Sequence, residues 1–112
     1  MSLSGLWDEF AASVKSGVAG LAKNTVGDVL QQAGADAEAF LATSKQALRR
    51  WGDLLAEGKI TSEDFEFLVR GQSSLAKLLA LQSLGVTQAR LERFRTGLIS
   101  LVVSSAFKTL GL

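Results

Sequence analysis

The 112-residue chain contains no cysteine, no histidine, no proline and no tyrosine. Without cysteine it has neither disulfide nor thiolate chemistry. Without histidine it lacks the commonest general base and the commonest metal ligand. A chain free of proline keeps every backbone donor and no rigid φ, which suits long helices. Long hydrophobic runs are missing too. The longest uncharged stretches, Leu78–Ala89 and Thr96–Phe107, have twelve residues each, against the ~20 a membrane-spanning helix needs. The opening residues MSLSGLWDEF carry two acids where a secretory leader would be positive, so a cytoplasmic location is expected and Met1–Leu3 is given no role.

What is abundant is apolar side chain. Hydrophobic residues make up 47% before the 11 glycines are counted, whereas ordinary globular chains reach ~45–50% with glycine included. The length fits one domain over 1–112. The excess must therefore enter a dense core, a subunit interface or a lipid surface. Net charge is only +1 but unevenly spread. Residues 1–44 hold two lysines against five acids, and residues 71–112 hold five bases against Glu92 alone. That polarity favours the first and last helices as neighbours, as in an up-down four-helix arrangement.

The apolar periodicity predicts an all-α antiparallel bundle of four helices at about 4–33, 36–57, 61–84 and 87–110, completed by oligomerisation. In the first, Trp7, Phe10, Val14, Val18, Leu21, Thr25 and Val29 recur at steps of three and four. A second row, Ser13, Gly20, Gly27 and Gly34, recurs every seven. Glycine inside a helix costs about 1 kcal/mol relative to alanine, so three in register predict a face that another helix approaches closely; a break near Gly17–Gly20 is the competing reading. Gly34 is read as the stop of the first helix and Asp36 as the N-cap of the second. Phe40, Leu41, Ala47, Leu48, Trp51, Leu54 and Leu55 give the second helix its apolar face, and Gly58 ends it.

Two further starts are clear. Thr61 caps with Asp64 at the third helical position, and Ile60 can staple onto Phe65. Thr87 caps the last helix after Gly85, with Val86 and Leu91 in the same geometry. Glu66 and Arg70 are spaced for an i,i+4 ion pair. The third helix is apolar on two sides: Phe65, Leu68, Leu75 and Leu79 on one, Phe67, Leu78 and Leu81 on the other, with Leu84 beyond. The run Leu98–Val103 behaves likewise. One short bundle has difficulty hiding both, so Gly20, Gly27, Gly34, Phe67, Leu78, Leu81, Ile99 and Val103 are the expected subunit contacts.

Residues 48–70, LRRWGDLLAEGKITSEDFEFLVR, resemble the short helical hairpin called the SHOCT domain, through Leu48, Leu54, Leu55, Gly58, Ile60, Thr61, Glu63, Asp64 and Phe65. The resemblance implies a helical association element and nothing enzymatic. Asp53–Asp64 also partly resembles a calcium-binding EF-hand loop: Asp53 as first ligand, Glu57 in the fifth place, Gly58 at the turn, Ile60 at the centre and Asp64 closing. Leu55 occupies a ligand slot and Asp64 is shorter than the usual bidentate glutamate, so the preferred reading is a metal-free helix–turn–helix. No metal, cofactor or catalytic residue is expected. The acids Asp8, Glu9, Glu63, Asp64 and Glu66 sit at helix starts instead of facing each other across a cleft.

The function read from the sequence is therefore a non-enzymatic homo-oligomeric assembly, scaffold or adaptor, whose partner is itself or another helical protein. The alternative is a peripheral protein of the membrane surface, with Trp7 and Phe10 inserting from the first helix, although a segment of net negative charge is repelled by anionic lipid. A nucleic-acid module built on Arg90, Arg93 and Arg95, with Arg49 and Arg50, is the lesser alternative, since binding domains usually carry a larger basic excess.

Overall fold

The computed structural model describes residues 2–112. Five α-helices follow one another: α1 Trp7–Thr25, α2 Leu30–Ala56, α3 Ser62–Arg70, α4 Leu79–Ser83 and α5 Gln88–Leu110, with a 3-10 turn at Ser73–Leu75 between α3 and α4. The fold is all-α. Helix α1 packs along α2 and along α5; α3 and the 3-10 turn also lie against both α2 and α5, and α4 lies against α2. The first and last helices are thus neighbours, as the charge distribution suggested. Helices α1, α2, α3 and α5 each contribute one fully buried phenylalanine: Phe10, Phe40, Phe65 and Phe94.

The turns follow from a few residues. Gly58 takes φ +74. Its N–H donates to the Leu55 carbonyl at 3.1 Å and the Lys59 N–H to the Leu54 carbonyl at 2.9 Å, the paired closure that glycine permits at a helix end. Helix α3 then opens with a complete capping box. The Thr61 N–H donates to Asp64 Oδ2 and the Asp64 N–H to Thr61 Oγ1, both at 3.0 Å. Thr87 caps α5 by accepting from the Arg90 N–H at 3.4 Å. The predicted Glu66–Arg70 pair is present at 2.8 Å.

Two boundaries differ from expectation. Helix α1 ends at Thr25, runs unbroken through Gly17 and Gly20, and is closed by Gly27, whose φ is +95 and whose N–H reaches the Ala22 carbonyl at 2.8 Å. Gly34 does not stop a helix; it lies within α2, which has already begun at Leu30. Asp36 does not cap α2 either. It is buried in the second turn of α2, and its carboxylate accepts from the N–H groups of Ala80 at 2.9 Å and Leu81 at 2.8 Å. It therefore caps a different helix, α4, across the bundle.

The third predicted helix is broken. After Arg70 the chain passes through the 3-10 turn and reaches Leu78, the one non-glycine described with positive φ, at φ 56 and ψ 42. That conformation costs an L-residue about 1–2 kcal/mol. Three hydrogen bonds hold the bend: the N–H groups of Ala80 and Leu81 donate to the Asp36 carboxylate, and Arg95 Nε donates to the Ala76 carbonyl at 2.9 Å.

Close helix approach does use glycine, but at other positions. A Cβ on Gly17 would stand 2.5 Å from Leu101 Cδ1, and one on Gly97 would collide with Leu21. Ser13 Oγ donates to Ser105 Oγ at 3.2 Å in the same seam. Ser13, Gly17 and Leu21 thus meet Ser105, Leu101 and Gly97 in antiparallel register. Among the described residues no ion pair joins α1 to α5; the nearest inter-helix pair is Lys15–Glu38, between α1 and α2, at 3.0 Å. A third glycine, Gly52, receives the fully buried Leu3, so the first residues form part of the core.

Candidate self-association surface

The apolar excess divides into a buried part and an exposed part. Leu78, Leu81, Ile99 and Val103, expected at a subunit contact, are all buried within the single chain. The reason is geometric: α5 touches α1 on one side and α3 on the other, so Leu98–Val103 needs two apolar faces inside one bundle. Gly20, Gly27 and Gly34 do not form one stripe, because α1 ends before Gly27 and Gly34 belongs to α2. A Cβ on any of the three would meet nothing within 4 Å.

What stays outside is concentrated in residues 67–84. Phe67 is 78% exposed and Leu79 64%, with Leu75 and Leu84 also exposed. Phe67 points outward because Phe65 and Val69, on the opposite side of α3, are buried. Leu75 and Leu79 flank a cavity of about 220 Å³ against α2, lined also by Asp36, Phe40, Lys77 and Leu78. The bend at Leu78 creates this arrangement: it turns Leu78 and Leu81 inward and leaves Leu79 and Leu84 facing solvent. Leu30 is exposed as well, beside a shallow groove of about 540 Å³ between α1 and α2 that includes Gly34.

The polar residues singled out by spacing are dispersed among separate structural tasks. Asp53 accepts from the Ser4 N–H at 3.0 Å and from Ser4 Oγ at 2.6 Å, with Arg49 Nε donating to the same hydroxyl at 3.3 Å. Burial alone would raise the Asp53 pKa, but the Ser4 hydroxyl, the backbone of Ser4 and Leu3 and the nearby Arg49 charge together hold it below the ordinary carboxylate value. Glu57 pairs with Lys59 at 3.1 Å and Asp64 belongs to the capping box. Among the described residues no group of three or more acids converges in a way that could hold a metal ion.

Comparison of the chain with protein-family models, curated proteins and solved structures found no match.

The side chains considered for other surfaces are also engaged. Phe10 is fully buried, and Trp7 lies 5.0 Å from it, ring to ring, with Lys45 Nζ 5.5 Å from the Trp7 ring. Arg95 is turned inward onto the Ala76 carbonyl and pairs with Glu92, which leaves Arg90 and Arg93 on the exposed side of α5. No helix among the described residues is long and apolar enough to cross a membrane. Of the surface on residues 67–84, the residue pattern singled out Phe67, which is exposed, but not Leu75, Leu79 or Leu84. Its composition was clear, but the inside–outside assignment depends on the bend at Leu78.

Proposed function

We propose that this chain is a non-enzymatic helical association module that forms homo-oligomers through the surface of residues 67–84, serving as an assembly subunit, scaffold or adaptor. The observation that supports this reading is the exposure of Phe67, Leu75, Leu79 and Leu84 within 18 consecutive residues of a chain whose other large apolar side chains are mostly buried. Single exposed leucines are ordinary on protein surfaces; a concentration of them beside a cavity marks a contact site. The acids Asp36, Asp53 and Asp64 are occupied in caps and ties, which supports a binding role over a chemical one. Tucking Phe10 into the core and Trp7 beside it favours self-association over insertion into lipid.

The test is the double substitution Phe67→Ser with Leu79→Ser. Both side chains are exposed, so the melting temperature of the monomeric fold should hold while association weakens. A double variant that associates as the unaltered chain does would refute the assignment of the surface.

A further inference from the structure

We propose that the self-association contact is reciprocal: Phe67 of each copy enters the cavity beside Leu75 and Leu79 of the other. This rests on the self-association reading above and specifies what the exposed surface meets and how many copies result.

Three observations carry it. The first is a knob without a socket. Phe67 is 78% exposed, and with Phe65 and Val69 buried on the opposite side of α3 it cannot turn into its own core. The second is a socket without a knob. The cavity of about 220 Å³ beside α2 has apolar walls: Ala39, Phe40, Leu75, Leu78 and Leu79. It is smaller than the ~300–1,000 Å³ of small-molecule sites, yet a cavity of ~150 Å³ already holds one benzene ring. Its size therefore suits a single aromatic side chain, the kind of anchor that dominates protein contacts when seated in a pocket. The bend at Leu78 shapes this socket in the folded chain, so no opening precedes binding.

The third observation is charge. Glu63 lies one turn before Phe67 on the exposed side of α3, and Lys77 lines the cavity. Both are exposed, and among the described residues neither takes part in an ion pair. The other charges nearby are engaged: Arg70 with Glu66, and the Asp36 carboxylate with the N–H groups of Ala80 and Leu81. An acid beside the knob and a base beside the socket attract each other between copies. Knob and socket lie on one stretch of chain, so a two-fold axis passing between Phe67 and Lys77 exchanges them. One such contact fills both sockets, forms both ion pairs and closes at two copies instead of growing into a filament.

Light scattering on the whole chain, compared with Ala39→Leu, Glu63→Lys and Lys77→Glu, tests this. Ala39 is an exposed helical position, and a leucine there fills the socket. Ala39→Leu should keep the melting temperature of the single chain and weaken association at least about tenfold. Glu63→Lys and Lys77→Glu should each weaken it about tenfold. Mixing those two variants restores both opposite-charge pairs in a mixed dimer, so the mixture should associate nearly as the unaltered chain does. Ala39→Leu that associates as the unaltered chain does, or a mixture no stronger than its components, overturns the reciprocal seating and leaves the self-association reading in place. Growth beyond two copies overturns the two-fold arrangement. A mass of 11.9 kDa for the unaltered chain at every concentration overturns the self-association reading, and the seating with it.

Discussion

Leu101 lies over Gly17 so closely that a Cβ on the glycine would stand 2.5 Å from Leu101 Cδ1 and 3.3 Å from its Cγ. One turn further along α1 the roles reverse, with Leu21 seated on Gly97. The seam between α1 and α5 is therefore built from large side chains set against missing ones, which lets two helices approach without a charged contact. Its period along α1 is four, from Ser13 to Gly17 to Leu21, not the seven suggested by the more conspicuous row of Ser13, Gly20, Gly27 and Gly34.

Gly17→Ala should accordingly destabilise the fold. Overpacking of this kind costs about 1–3 kcal/mol, against about 1 kcal/mol gained in helix propensity. Leu101→Ala alone, at a partly buried position, should cost less than the ~2–5 kcal/mol of a fully buried leucine. Combined with Gly17→Ala it should cost less than the sum, because the new methyl occupies vacated space. Chemical denaturation of the two single variants and the double variant measures the coupling; strict additivity would contradict the seam.

The two readings of the first turn make opposite predictions for glycine. Gly34 is helical with open space around its missing Cβ, so Gly34→Ala should stabilise by about 0.5–1 kcal/mol. Gly20→Ala on α1 should do the same. Gly27→Ala should destabilise by about 1–3 kcal/mol, since φ +95 is unfavourable for any residue with a Cβ. Thermal melts of the three decide the matter; a loss at Gly34 with none at Gly27 would restore the longer first helix.

Asp53 ties Ser4 to α2, and its pKa is held low by that tie despite the opposing effect of burial. A carboxylate whose folded pKa lies below its unfolded value contributes stability above the unfolded value, near 4, and loses it as pH falls through the folded one. Asp53→Asn should therefore melt below the unaltered chain at neutral pH, and the gap should close as pH falls below 4. A gap that is constant with pH would mean the carboxylate charge plays no part in the tie.

Residue patterns revealed the helical class, the caps at Thr61 and Thr87, the Gly58 turn and the adjacency of first and last helices, because each depends on local chemistry or on chain order. What they could not reveal were choices settled at a distance. Gly27 and Gly34 are equally able to end a helix locally; the burial of Ala33 and Asp36 against the bundle selects Gly27. Asp36 reads as a cap in either case, but for α4, 44 residues away in sequence. The bend at Leu78 has no local signal, since leucine disfavours positive φ, and the bend decides which leucines of residues 75–84 face outward. The surplus of apolar residues was visible at once; its division between core and surface was not.

The direct test of the proposed role is the solution mass of the unaltered chain, by light scattering on a size-exclusion column loaded at tens of micromolar. The account predicts a multiple of the 11.9 kDa chain mass that falls toward one chain on dilution or with Phe67→Ser and Leu79→Ser. A single chain of 11.9 kDa at every concentration, with no increase as the sample is concentrated, would contradict it.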